Sequence, residues 1–461
     1  MFFGRKEELM TIEEKISNNR FESFLIYGRR RIGKTELVRE AIKKFKGTII
    51  HYECKKSLYG DNISALNEAL KEIFGINFNF SSFYDICDYI FTESKNKKIV
   101  FIIDEFPFLI EGNNVVISDL QRVIDKHKND SLLKLIVLGS YMDVMKSLND
   151  GTSPCYGRFT NIIDLKPFDY YDAAKFYSSY SDEDKVLMYS VFGGVAFFNS
   201  LIDENKTALE NIINLIVNKN SILQLEIENF IFGEINKIPQ CNSALELIGT
   251  GVNKYSDITN KLTAKNGNKI SPDYLLKKLC DLELIEKVVP INDKTNKKKT
   301  FYVIKDNLLN FYYKYIYRNK TKNGIMNGLD FYNYFVKDNL ETQYIPKMFE
   351  NISKEFLIRA SKKHYFEPVI FEIGTYFYDD AKSKKNVQLD IVTNDIAGYI
   401  SYECKYTNSP VTFSIINEEE YQNKISLLGV YKLGFISKSG FVEGINKNLY
   451  NCFELKEFYS I

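Results

Sequence analysis

The stretch FLIYGRRRIGKT, residues 24–35, decides the fold. Phe24–Tyr27 is a short apolar run of strand type, and Glu36–Phe45 shows helical spacing, with Leu37, Val38 and Ala41 three and four residues apart. Between them Gly28-Arg29-Arg30-Arg31-Ile32-Gly33-Lys34-Thr35 fits GxxxxGK[ST], and its place between a strand and a helix predicts a phosphate-binding loop. The glycines let successive backbone N–H groups curl around a phosphate at a helix N-terminus. Lys34 would reach the β/γ oxygens of ATP, and the Thr35 hydroxyl would ligate Mg2+.

Working outward, KIVFII (98–103) reads as a buried strand that ends in Asp104-Glu105. Two carboxylates then stand at the C-terminal edge of a strand, where ligands bind in open α/β sheets. Asp104 would hold Mg2+ and Glu105 would orient or deprotonate the attacking water; taken alone, a solvated strand end reads equally well. A third strand, LLKLIVL (132–138), ends in Gly139-Ser140, and Ser140 is a candidate sensor of the γ-phosphate, although serine after glycine also makes an ordinary turn. The chain has 10 arginines against 51 lysines, and three of the arginines are consecutive in the loop. Another, Arg158, lies in SPCYGRF (153–159) and is a candidate guanidinium for phosphate, supplied within the chain or from a neighbouring subunit; a surface arginine in a turn is the alternative.

FFGRKEEL (2–9), YGRRRIGKTEL (27–37), IIDEFPFL (102–109), LIVLGS (135–140) and SPCYGR (153–158) together resemble the archaeal-type AAA ATPase family, which is related to the STAND NTPases. The resemblance implies that Gly4 and Arg5 lie near the adenine end of the nucleotide and that Arg158 belongs to a family box. Gly193-Gly-Val-Ala196 stands where the family carries GGxP, which puts the lid contact made through proline in doubt.

Pro167 to about Phe232 has the helical pattern of an ATPase lid. SALELIGTG (243–251), YSDITNKL (255–262) and a third helix opening at Ser271-Pro272, serine as N-cap and proline at N1, are followed by strand-like Leu284–Val289 and Thr300–Ile304. Three helices and a basic hairpin describe a winged helix. Lys277 and Lys278 would face a DNA groove and Lys294, Lys297, Lys298 and Lys299 would lie near phosphates, unless the module binds protein and the lysine-rich turn is a solvated loop. The Tyr- and Phe-rich stretch Asp306–Lys337 reads as core packing.

Beyond about Tyr344 a helix over 348–357 precedes strand-like VQLDIV (387–392) and YISYECKY (399–406), separated by the polar turn Thr393–Gly398. Period-two alternation puts Ser401, Glu403 and Lys405 on one face. An aspartate on one strand with Glu-x-Lys on its neighbour resembles the PD-(D/E)xK nuclease pattern. That resemblance implies Asp390 and Glu403 for a metal (Mg2+ or Mn2+), Lys405 for the water and Glu350 as the helix acid; a Glu–Lys ion pair on one strand face is the alternative.

Composition bounds these expectations. At 461 residues the chain is long enough for several domains, and 45% hydrophobic with 26% charged residues is a folded composition. Sixty-one basic against sixty acidic residues give a net charge of +1, so nothing global points to nucleic acid or a membrane surface. Seven scattered cysteines without a CxxC pair and three histidines disfavour disulfides, zinc and triad chemistry. Absence of a long apolar run predicts no membrane span and a cytoplasmic chain. The expected fold is multidomain α/β: a P-loop parallel-sheet ATPase core (1–165), a helical lid (166–238), a winged helix (239–305), a helical connector (306–343) and a nuclease-like α/β domain (344–461). The expected activity is Mg2+-dependent ATP hydrolysis acting on DNA. The alternative is a STAND-like nucleotide switch or scaffold that holds a protein partner, with an inactive nuclease-like domain; self-assembly is compatible with either.

Overall fold

The computed structural model of the chain describes residues 2–233, 235, 238–266, 271–296, 298–380 and 385–460. The chain divides into two compact units, Met1–Pro167 with Val195–Phe197, and Phe168–Gly194 with Phe198–Ile461.

The first unit is built on a five-stranded sheet in the order β2-β3-β4-β1-β5. Its strands are β1 (Glu22–Tyr27), β2 (Thr48–Glu53), β3 (Ile99–Asp104), β4 (Lys134–Gly139) and β5 (Asn161–Asp164), and every pairing is parallel. Strands buried on both faces read as unbroken apolar runs, and the alternation sorts them into two cores. Leu25, Phe101, Ile103, Leu135 and Val137 face one core. Phe24, Ile26, Val100, Ile102, Ile136 and Leu138 face the other, against Leu37 and Val38 of the helix Lys34–Ile42 and Ile12 of the helix Lys6–Ser17. With all strands parallel, the ends of β1, β3 and β4 meet along one edge.

In the second unit, helices Cys241–Gly249, Tyr255–Asn266 and Pro272–Asp281 precede an antiparallel pair, β6 (Ile285–Val288) and β7 (Phe301–Ile304). Ser271 occupies the N-cap position, but its side chain makes no capping bond, so Pro272 alone carries the predicted start signal. Helices run from Asn307 to Ile325 and from Gly328 to Tyr344, and Phe311, Tyr312, Tyr313 and Tyr315 are buried, as core packing requires.

A second, mixed sheet runs β12-β11-β10-β9-β8, with β8 (Glu372–Asp380), β9 (Lys385–Asp395), β10 (Gly398–Lys405), β11 (Val430–Ser437) and β12 (Asn451–Glu454). The turn expected over Thr393–Gly398 is shorter. β9 continues to Asp395 and β10 opens at Gly398, whose φ of 130° suits glycine, while Asp395 Oδ1 accepts the Ala397 N–H at 2.7 Å. The helix Phe413–Ser426 crosses from β10 to the parallel β11, and the helix Ile345–Lys362 packs on β9 and β10.

The loop after β6 is fastened to the outermost strand of this sheet. Pro290 pairs with Thr375, the Ile291 N–H donates to the Thr375 carbonyl at 3.0 Å, and the Ile291 side chain joins the core of Tyr378, Leu389 and Val392. Lys294 pairs with Glu372 at 2.7 Å, Lys299 with Asp379 at 3.2 Å, and Phe301 packs on Phe377 with ring centroids 4.5 Å apart. Acidic residues of β8 thus engage Lys294 and Lys299, two of the lysines expected near phosphates. Lys297 lies outside the described residues.

Candidate nucleotide-binding site and C-terminal carboxylate cluster

The phosphate loop sits at the C-terminal end of β1. A Cβ on Gly28 would stand 2.4 Å from the Leu165 carbonyl oxygen, so only glycine fits there, and Gly33 has a φ of 98° that L side chains rarely adopt. Lys34 is buried and donates to the carbonyls of Gly28 at 2.9 Å and Arg29 at 3.1 Å. Burial pulls its pKa down, against the charges of Glu105 and Asp104. The Thr35 hydroxyl donates to Asp104 Oδ2 at 2.6 Å, joining the loop to the end of β3. Burial raises the Asp104 pKa, but the nearby His51 ring and the hydrogen bonds from Thr35 and the Glu105 N–H outweigh it and hold the carboxyl below its usual range.

Glu105 follows at a φ of 48°, and Ser140, after β4, donates to it from both its hydroxyl and its backbone N–H. Arg5 is buried and its guanidinium reaches the Ile32 carbonyl at 3.4 Å, which brings the Gly4-Arg5 turn against the loop. Just past Gly193-Gly194, where the family carries GGxP, Ala196 and Phe197 touch the loop. The Phe197 N–H donates to the Arg31 carbonyl at 3.2 Å, the Arg31 guanidinium lies 4.1 Å from the Phe197 ring centroid, and Ala196 Cβ faces Gly33.

Arg158 stands elsewhere. Its carbonyl accepts from Ser23 at the start of β1, and its guanidinium bonds Asp125 at 3.1 Å and the Tyr156 carbonyl at 2.7 Å. Because β5 runs parallel to β1 and begins with Asn161 beside Phe24, the loop before it lies at the opposite end of the sheet from Gly28. Arg158 is therefore not brought to this chain's own phosphate loop.

At the C-terminal sheet, Glu350, Asp390, Glu403 and Lys405 gather around the middle strands. Lys405 Nζ donates to Glu403, the Cys404 N–H donates to Asp390 Oδ2 at 3.4 Å, and Lys347 pairs with Glu350 at 2.5 Å. Burial and the Asp390 charge raise the pKa values of Glu350 and Glu403, against the pull of their lysines. Glu419, buried on the helix Phe413–Ser426, is also raised, by burial and by Asp390 with Lys405 opposing. Hard carboxylate oxygens suit Mg2+ or Mn2+, yet among the described residues no three His, Cys, Asp or Glu side chains are grouped to hold a metal. The expected ligand set of Asp390, Glu403 and Glu350 is thus not closed, because lysines take up Glu350 and Glu403.

Residues 2–197 match the model of an ATPase domain found predominantly in Archaea. An uncharacterized protein of Methanocaldococcus jannaschii is 30% identical over 389 residues, 82% of each chain. The chain belongs to this archaeal ATPase family. Residues 312–423 match a family of archaeal and bacterial proteins of unknown function. A second M. jannaschii protein, an uncharacterized ATP-binding protein, is 44% identical over 46 residues, 10% of this chain and 78% of its own. The Walker-type ATPase of Pyrococcus abyssi superposes with a TM-score of 0.50 at 18% identity, over 68% of this chain and 96% of that one, a likeness of fold. The protein is an ATP-binding ATPase-type chain of multidomain α/β architecture, and among the described residues no helix is long and apolar enough to cross a membrane.

The folded ATPase adds residues that sequence spacing did not single out. His51 Nε2 lies 3.9 Å from Asp104 Oδ2, although β2 carries no motif. Lys354, one helical turn beyond Glu350, donates to Thr375 Oγ1 at 3.0 Å, and burial followed by the Lys347 charge lowers its pKa. Its i, i+4 spacing from Glu350 was the available signal; for Glu419 only the turn-by-turn phase of a helix of then unknown position could have served.

Proposed function

We propose that the chain hydrolyses ATP at the Gly28–Thr35 loop and couples turnover to DNA through a winged helix and a nuclease-like C-terminal domain. The observation that carries the ATPase part is the 2.6 Å bond between Thr35 Oγ1 and Asp104 Oδ2, with Lys34 and Glu105 on either side. These two hard oxygen donors fit Mg2+, which when bound would neutralise phosphate charge. Lys34 and the loop N–H groups bind the phosphates, Glu105 orients the water, Ser140 faces the γ-phosphate, and Gly4 and Arg5 border the adenine end. Purified protein should show Mg2+-dependent ATP turnover that falls about 100-fold or more in Lys34→Ala and Glu105→Gln. Turnover surviving either change would remove this site assignment.

We propose that the rest of the chain divides into a helical lid (166–238), a winged helix (239–305), a connector (306–343) and a nuclease-like domain (344–461). Support for the DNA part is the gathering of Asp390, Glu403 and Lys405 on two neighbouring strands with Glu350 on the helix packed against them, and the solvent-exposed Tyr274 and Lys277 on the third helix. Incubation with supercoiled and linear DNA, Mg2+ or Mn2+, and ATP or a non-hydrolysable analogue should give cleavage that is lost in Asp390→Ala and Lys405→Ala, with Lys34→Ala reporting whether ATP gates it.

A second reading, a nucleotide-operated scaffold for a protein partner, is favoured by the ion pairs that occupy Lys294, Lys299, Glu350 and Glu403. ATP turnover without cleavage, together with nucleotide-dependent capture of a partner, would select it.

A further inference from the structure

We propose that Lys354 is the group that contacts a backbone phosphate of a DNA strand at the C-terminal carboxylate cluster, seated for that contact by Thr375. The inference rests on the DNA reading of this domain given above and names a phosphate-binding residue for it. Three observations carry it.

Lys354 is the cation of the cluster that no carboxylate takes up. The helix Ile345–Lys362 carries Lys347, Glu350 and Lys354 at three- and four-residue spacing, so the three share one face. Lys347 pairs with Glu350 at 2.5 Å and Lys405 pairs with Glu403. Among the described residues Lys354 forms no ion pair, although Glu350 lies one turn away on the same helix. An ammonium has three N–H donors; one goes to Thr375 Oγ1 at 3.0 Å, and no other described residue accepts from it. The side chain is half-buried, and an ammonium withdrawn from water without a counter-charge is costly. Burial and the Lys347 charge pull its pKa down, and a bound anion opposes both effects.

The oxygen that holds Lys354 is itself held from the hairpin side. The ladder between β8 and β9 shifts register between Gly374 and Tyr376, the kind of irregularity that re-aims a side chain. Thr375 between them is buried, and its carbonyl accepts from the Ile291 N–H at 3.0 Å. A Cβ on Gly374 would stand 3.2 Å from the Ile291 Cβ, so the loop closes tightly on this bulge. With its backbone fixed in this way, Thr375 turns its hydroxyl to the helix and sets the ammonium one turn from Glu350.

The surroundings select the kind of anion. Glu350, Asp390, Glu403 and Glu419 surround the cluster with carboxylate charge. That field repels a free dianion such as inorganic phosphate more than a phosphodiester, which carries a single charge and is held in place by contacts along its strand.

The test is fluorescence anisotropy of a labelled DNA duplex on the full chain in EDTA, which withholds the metal that cleavage would need. Lys354→Met, which keeps the length of the side chain without its charge, should weaken binding about tenfold and lower the log–log salt slope by about 1. Lys354→Arg should restore most of both, and Thr375→Val should weaken binding about threefold at an unchanged slope. A salt slope unchanged in Lys354→Met, or equal losses in the Met and Arg variants, would overturn the proposal. In wild type, saturating duplex should shield Lys354 from acetylation by acetic anhydride, read by peptide mass spectrometry, and inorganic phosphate should not. Equal labelling with and without duplex would overturn the contact without recourse to any variant, and equal shielding by inorganic phosphate would overturn its assignment to a phosphodiester. Wild type that binds no duplex at all would instead sink the DNA reading, and this contact with it.

Discussion

Glu22 and Glu355 are buried carboxylates that their neighbours treat in opposite ways. Burial raises the pKa of Glu22, but bonds from Arg20, Asn18, Thr160 and Asn161 outweigh it and hold the group at about 2, below the 4.5 of the unfolded chain. Its stabilisation is therefore complete above pH 4.5 and lost as pH falls toward 2. Glu22→Gln should cost about 2 kcal/mol at pH 7, with the difference from wild type shrinking over that acid window in urea melts. Glu355 accepts from the Tyr170 N–H and the Tyr189 hydroxyl, both at 2.9 Å, and burial lifts it to about 8, with Asp169 adding to the rise. Here the folded value exceeds the unfolded one, so its contribution is full below about 4.5 and lost as pH rises through about 8. Glu355→Gln should flatten the pH dependence of Tm between pH 5 and 8 and raise Tm at pH 8, by roughly 2–4 °C for each kcal/mol relieved. A wild-type Tm independent of pH over that range would refute the assignment.

Among the elements, the loop after β6 is the one whose role changed most between sequence and fold. Its lysines read as phosphate contacts, but charge alone does not say which surface a loop meets, and acidic Glu372 and Asp379 on β8 compete for the same ammonium groups. Exposed pairs of this kind contribute about 0.5 kcal/mol each, whereas the buried Ile291 side chain fills the core of the second sheet. Ile291→Ala should thus cost about 2–4 kcal/mol, and Lys294→Ala with Lys299→Ala about 1 kcal/mol together, measured by chemical denaturation. The reverse ranking would show that the ion pairs, not the apolar contact, secure the loop.

At the scale of the whole molecule, a net charge of +1 gives no overall attraction to a polyanion, and two of the lysines expected to meet one are paired with β8. Any DNA binding should show a log–log salt slope no steeper than about −3 between 50 and 200 mM salt, read by fluorescence anisotropy. A much steeper slope would reveal a basic surface other than the third helix. What was legible in the sequence follows the same division between contiguous and distant information. The loop, the Asp104-Glu105 strand end and Asp390 with Glu403-x-Lys405 are local patterns whose physics needs only a few residues. The position of Arg158 was not legible, because it depends on β5 starting beside Phe24 rather than on anything in SPCYGRF. Likewise Ser140 and Glu105 meet only because the sheet order makes β4 the neighbour of β3. The Pro290 contact has one more consequence. β8 is the edge strand of its sheet, and the outer rim of such a strand can recruit a matching strand from another molecule. A proline laid along that rim has no N–H to offer a newcomer, so the segment that joins the hairpin to the sheet also shields the protein from intermolecular strand addition and the aggregation that follows from it.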